Sequence, residues 1–141
     1  MSSDFYGFDE IRPGVFVFYD EMQLQIGSCR PDDIALAMVC PVVSVHPARN
    51  EATIYGGAVH FSKDFIVKEG APWFGRMMRY QGETWNPSEI VGFLKAVSQE
   101  HGTVKLQGAD VNLKPGDRVT ILPVHACLTV HLMREDVKVS S

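Results

Sequence analysis

Residues 113–123 read "LKPGDRVTILP", and this stretch decides the fold. Pro115, Gly116 and Asp117 have the chemistry of a tight turn. Beyond it, Val119 and Ile121 fall on one face of an extended chain, with Thr120 and Leu122 on the other. Working outward, the same strand-and-turn grammar recurs. "GTVKLQG" (102–108) reads as a strand, and "ATIYGGAV" (52–59) as a strand ending in a glycine pair. "IALAMVCPVVSVHP" (34–47) is a long apolar run containing Pro41. Proline cannot donate to a ladder, so the strand is bulged there or lies at an edge. "IRPGVFVFYD" (11–20) pairs a Pro-Gly turn with a β-branched and aromatic strand from Val15 to Tyr19. "MQLQIGS" (22–28) alternates Met22, Leu24 and Ile26 with Gln23 and Gln25, as a half-buried strand does. "RPDD" (30–33) and "ARNE" (48–51) are turns.

Residues 62–87 mix glycine, proline and aromatics and read as loop with short strands. "SEIVGFLKAVSQEHG" (88–102) supports two readings. Ile90, Phe93, Leu94 and Val97 have helical spacing behind Asn86 and Pro87. The alternative is two short strands meeting at a Gly92 kink. Some seven or eight short strands with at most one or two short helices make residues 1–141 a single, mainly β, barrel-like domain.

Composition narrows the partners. The 141 residues are 45% hydrophobic and 21% charged, enough to bury a core. A net charge of −4 without a Lys/Arg cluster argues against nucleic acid. No apolar run approaches the roughly 20 residues of a membrane span, and the acidic start "MSSDFYGFDE" is unlike a secretory signal. Cys29, Cys40 and Cys127 are odd in number and lack paired spacing, which suits reduced thiols in a cytoplasm. With no CxxC, a four-cysteine zinc ribbon is excluded.

His125 and Cys127 follow directly on the strand of 118–123. In an extended chain, residues i and i+2 point the same way, about 6.6 Å apart along the strand. An imidazole and a thiolate can converge on one cation across that gap. Two helical residues at this spacing would diverge by roughly 200°. A metal pair therefore asks for extended or turned backbone, which Pro123 favours. His131 could join only if the chain turns after Cys127. Spacing alone leaves the metal pair and an unconnected histidine and buried cysteine as rival readings.

"PGDRVTILPVHACLTVHL" (115–132) resembles a segment near the end of the D-serine dehydratase and D-threonine aldolase group, whose fold is related to alanine racemase. "SQEHG" (98–102), "YGGAVHFSKD" (55–64) and "IRPGVFVFYDEMQ" (11–23) resemble further blocks of the same C-terminal domain, in order. The resemblance runs from about Ile11 to Val139. It implies a barrel-like domain packed against a separate barrel that holds pyridoxal phosphate on a lysine. It also implies that His125 and Cys127 bind a divalent metal such as zinc, beside the substrate's β-hydroxyl. Val124 departs from the asparagine common before that histidine, so the D-amino-acid substrate is not fixed.

The barrel for pyridoxal phosphate is absent from these residues, so the expected function is that of a detached domain. It would complete a lyase-type site carried by another chain or domain, and be inactive alone. A non-catalytic binding module and a remnant of a truncated gene are the alternatives. A homo-oligomer is left open.

Other residues are weighed beside these. Glu100 is the expected carboxylate partner of a metal-bound histidine, with His101 next to it. Tyr19, Asp20 and Gln23 are candidates for facing the substrate side, and His60 for facing the site. Lys63 reads as a surface charge. Met77, Met78, Trp73, Phe74 and Trp85 read as core or interface filler.

Overall fold

The computed structural model describes residues 6–7, 9–10, 12, 14–82, 84–108 and 111–138. Ile11, Pro13 and Val139, within or at the ends of the resembling region, lie outside the described residues, as does most of the acidic N-terminus. Six antiparallel strands close into a barrel. They are β1 (Met38–His46), β2 (Glu51–Tyr55), β5 (Gly75–Arg79), β6 (Ile90–Val97), β7 (His101–Leu106) and β8 (Arg118–Pro123), in the order β1-β2-β7-β6-β5-β8. A hairpin of β3 (Ile66–Lys68) and β4 (Ala71–Trp73) stands outside it. Three short α-helices, α1 (Glu21–Gln25), α2 (Ala58–Phe61) and α3 (Ala126–Met133), and two single 3-10 turns, Pro31–Asp33 and Pro47–Arg49, complete the described elements.

Alternation builds the barrel. Cys40 and Val42, Ala52 and Ile54, and Val119 and Ile121 send every second side chain inward, where Met77, Leu94 and Val104 meet them. Each such fully buried side chain contributes on the order of 1.5–3 kcal/mol. The opposite face of β5 and β8 is buried as well. Met78 and Leu122 lie under Ile34, with Tyr19, Leu24, Cys29 and Trp85 packed around them. A third cluster joins Ile66, Trp73 and Val124 to Met22, and Trp73 stacks on Phe93 at 4.2 Å. The aromatic and methionine residues read as filler are therefore core.

Pro41 sits where β1 exchanges one partner for another. Met38–Pro41 pair with β8, and Val42–His46 pair with β2, with a bulge between Val42 and Ser44. The bulge lies just beyond Pro41 and not at it, and closure removes the edge. Within residues 88–100, Ile90–Val97 form the single strand β6, not a helix. Its own bulge, between Leu94 and Ala96, produced the false helical spacing. Gly92 is required there, because a Cβ would run into the Lys105 carbonyl oxygen. Asn86 and Pro87 begin a tight turn, with Asn86 Oδ1 accepting from the Ser88 amide at 3.0 Å.

The N-terminal expectations need correction. Val15–Tyr19 is a turn, with the Tyr19 amide bonded to the Val15 carbonyl at 2.8 Å. Residues 21–25 are helical, because Asp20 Oδ1 accepts the Gln23 amide at 2.9 Å and caps α1. A five-residue helix is too short for a 3.6-residue period to show. Met22 and Leu24 fill two different clusters, and Ile26 is exposed. The helix count of three exceeds the one or two expected.

Candidate metal centre

Pro123 ends β8, and the next three residues turn the chain at one pole of the barrel. The Val124 amide donates to the Phe74 carbonyl, and the Met22 amide donates to the Val124 carbonyl. His125 is still extended (φ −130°, ψ 96°) and is the N-cap of α3. Its carbonyl accepts from both the Thr129 amide (3.2 Å) and the Thr129 hydroxyl (3.1 Å). Helix therefore begins at Ala126, and Cys127 lies exposed in the first turn. The expectation of unwound backbone holds at His125 and fails at Cys127. The roughly 200° divergence describes two helical residues, whereas an N-cap residue still has non-helical backbone.

His125 Nδ1 lies 2.6 Å from Asp64 Oδ2. An ionised carboxylate only accepts, so Nδ1 is the donor in this contact, and a neutral ring then has its lone pair on Nε2. A metal-bound histidine usually has this arrangement. Asp64 follows α2, whose start is closed by His60. The Gly57 amide donates to His60 Nδ1 at 3.0 Å. His60 is buried, with Tyr55 edge-on at 5.1 Å. Burial holds its pKa below the ordinary 6.5; Glu100 pulls it up and His101 pushes it down.

The carboxylate that meets His125 is thus Asp64, not Glu100. Sequence reasoning missed it, although it ends the quoted block "YGGAVHFSKD", where attention went to Lys63. Lys63 is exposed, as expected. Glu100 is exposed and accepts the Gly56 amide through its carbonyl at 2.9 Å. His101 meets Tyr55 edge-on at 5.6 Å. Glu100 lies in the β6–β7 turn and His101 opens β7, both near His60. Gly57 is pressed against that turn: a Cβ would come within 2.7 Å of Gln99 O and 2.5 Å of the His101 nitrogen.

Asp20 is buried at this pole, and its Oδ2 accepts the Ala126 amide at 3.0 Å. Tyr19 (φ 49°) packs against the outer apolar cluster, and the Gln23 amide is bound by Asp20. His131 is exposed four residues after Cys127 on α3, which places the two on one helix face. Among the described residues, no group of three or more His, Cys, Asp or Glu side chains could hold a metal ion.

A second polar cluster has no counterpart in the sequence reading. Glu21 Oε1 is buried and accepts from Lys68 Nζ (2.7 Å) and Arg76 Nη2 (2.8 Å). Arg76 also donates to the Pro87 carbonyl at 3.0 Å, and Lys68 sits over the Trp73 ring.

Residues 35–139 match the family model described as "Putative serine dehydratase domain". The chain belongs to that family. It is 28% identical over 138 residues to a D-serine dehydratase of Dictyostelium discoideum, covering 92% of this chain and 33% of that protein. Against a D-threo-3-hydroxyaspartate dehydratase of Delftia sp. (strain HT23) it is 32% identical over 132 residues, covering 87% of this chain and 33% of that protein. A protein of Mycobacterium bovis is 30% identical over 124 residues, covering 85% of this chain and 84% of that protein.

The solved Delftia sp. HT23 dehydratase superposes with a TM-score of 0.69 at 28% identity, over 84% of this chain and 32% of that one. Two further structures of the same enzyme are variants. One replaces a cysteine by alanine and is described as metal-free, and the other replaces a histidine two positions earlier. An alanine racemase-like protein of Idiomarina loihiensis has the same fold, with a TM-score of 0.67 at 23% identity, over 84% of this chain and 32% of that one. The chain spans about a third of the two dehydratases it matches, and corresponds to the family's C-terminal domain. Among the described residues, no helix is long and apolar enough to cross a membrane.

Proposed function

We propose that this domain holds a divalent cation, zinc by preference, on His125 Nε2 and Cys127 Sγ, and presents it to a catalytic site carried by another domain or chain. The 2.6 Å contact between Asp64 and His125 carries the reading. It engages Nδ1 and leaves the other ring nitrogen for a ligand, two residues from an exposed thiol in the first turn of α3. The Delftia enzyme supports it, because its histidine and cysteine variants are separated by the same two positions as His125 and Cys127. Two protein ligands leave coordination positions open, as a catalytic cation requires.

Bound there, a cation would supply Lewis acidity towards a hydroxyl on the substrate's β-carbon, and pyridoxal phosphate on the partner would supply an electron sink. The substrate class is a D-amino acid with a 3-hydroxyl, and the reaction is β-elimination or aldol cleavage. This chain's residues have narrower tasks. Asp64 orients His125 and keeps its Nδ1 protonated, Cys127 provides a thiolate, and the β8–α3 turn holds both at one pole.

Metal analysis tests this directly. About one zinc per chain is expected, lost in His125→Ala and in Cys127→Ala, with affinity reduced about tenfold or more in Asp64→Asn. The isolated chain is expected to release no pyruvate from D-serine. Release is expected only after mixing with a pyridoxal-phosphate barrel of the same family. A second reading, a stand-alone metal-binding module, draws support from the Mycobacterium bovis protein, of which the matched region makes up 84%. Zinc binding without turnover in any mixture favours it.

A further inference from the structure

We propose that Asp20 is a positioning residue for the His125–Cys127 pair. It ties the start of α1 to the start of α3, and so sets the direction in which His125 leaves the chain. The proposal rests on the metal reading above but stands on its own geometry. Asp20 is 1% exposed, and each carboxylate oxygen has its own amide donor: Gln23 N to Oδ1 at 2.9 Å and Ala126 N to Oδ2 at 3.0 Å. The second bond spans 106 positions and lands on the residue between the two proposed ligands.

One carboxylate thus satisfies orphan amides of two helices, where negative charge is favoured by both helix ends. Two further contacts brace it. The Met22 amide donates to the Val124 carbonyl, on the other side of His125. Glu21, the next residue, is clamped by Arg76 on the barrel wall and by Lys68 on the β3–β4 hairpin. His125 is therefore flanked on both sides by bonds to residues 20–22, while Asp64 holds its ring. Loss of the Ala126 bond frees the residue that separates imidazole from thiol.

Two substitutions separate this role from simple capping. Asp20→Ser keeps a hydroxyl that caps α1 through Gln23 but cannot also reach Ala126. Asp20→Asn keeps one acceptor oxygen and turns an amide donor on the other N–H. Zinc chloride alone is titrated against a chelating dye, and the ring nitrogens of His125 are read by ¹⁵N NMR above pH 8. The wild type is expected to show the Nδ1-protonated tautomer.

Both variants are expected to keep the barrel amide spectrum, lose that single tautomer, and bind zinc at least tenfold more weakly. Zinc affinity within twofold of wild type, together with an unchanged tautomer, overturns the proposal. If the wild type takes up no zinc, the metal reading fails. Loss of the tautomer in Asp20→Ser then still supports the positioning role, and its retention defeats both.

Discussion

The barrel wall and the cap over its α3 pole are built from different chemistry. Ten side chains from all six strands, Cys40 through Ile121, meet inside the wall, where area removed from water decides the fold. The cap of α1, α2 and α3 has few apolar side chains of comparable burial, chiefly Phe61 and Ala126. Carboxylates and an imidazole hold it: Asp20 between two helix starts, Glu21 on Arg76 and Lys68, Asp64 on His125, and His60 on Gly57. The wall is non-directional and tolerant of exchange among apolar residues. The cap is directional, and every bond in it is specific to its two partners. Functional side chains occupy the second region because a site needs fixed directions.

Breaking the cap's strongest bond should have the largest effect. Glu21→Gln leaves Arg76 buried opposite a neutral amide, and removing one partner of a buried ion pair costs about 3–5 kcal/mol. Chemical denaturation checks the value. If the cap depends on this pair, Glu21→Gln also weakens zinc binding in the chain that remains folded. Met77→Ala tests the wall. A cavity at this fully buried position costs about 2–5 kcal/mol. Zinc affinity of the folded fraction should not move. Equal loss of zinc in both variants would erase the distinction between the two regions.

The same contrast explains which parts were legible in the sequence. The wall was readable because a period of two is written locally, as in Val119 and Ile121, and because Pro115-Gly116-Asp117 marks the turn. Its two errors were also local: a bulge at Leu94–Ala96 imitated helical spacing, and "GRMMR" (75–79), buried on both faces, hid the period of β5. The cap was not readable. Its contacts span 106 positions for Asp20–Ala126, 61 for Asp64–His125 and 55 for Glu21–Arg76, and no periodicity encodes such pairs. The spacing of His125 and Cys127 raised a metal pair as one of two rival readings, and the resemblance favoured it. Asp64 sat unremarked inside a block already quoted.

A smaller effect comes from pH. Burial lowers the His60 pKa below 6.5, so the unfolded chain binds this proton more readily than the folded one. The stability His60 contributes is complete above about pH 6.5 and is lost as pH falls through the lowered value. The protonated ring also has a donor at Nδ1 facing the Gly57 amide. Between pH 7.5 and 5.5 the melting temperature should drop, with α2 amides exchanging first. His60→Gln, whose side-chain oxygen can accept the same amide without titrating, should flatten that dependence. The lowered carboxylates, Glu51 beside Lys95 and Asp33 at the Arg30 amide, contribute fully above the ordinary carboxylate values and lose that contribution as pH falls from those through the lowered ones, a separate and more acidic window.

The smallest perturbation is the most local. Three thiols report on three places: Cys40 inside the wall, Cys29 in the segment covering it, and Cys127 in the cap. The thiolate is the reactive form. Burial pushes Cys40 up to about 12, and burial with nearby Asp33 also raises Cys29. Cys127 is exposed and is expected to react first with iodoacetamide at pH 8, giving one modified residue by mass spectrometry. Zinc should slow that reaction in the wild type and not in His125→Ala. The other two thiols should stay unmodified until the barrel unfolds. Protection by zinc that survives loss of His125 would mean that the thiol finds its metal without the imidazole. The cap would then be an ordinary helix end, and its directional bonds would serve the fold alone.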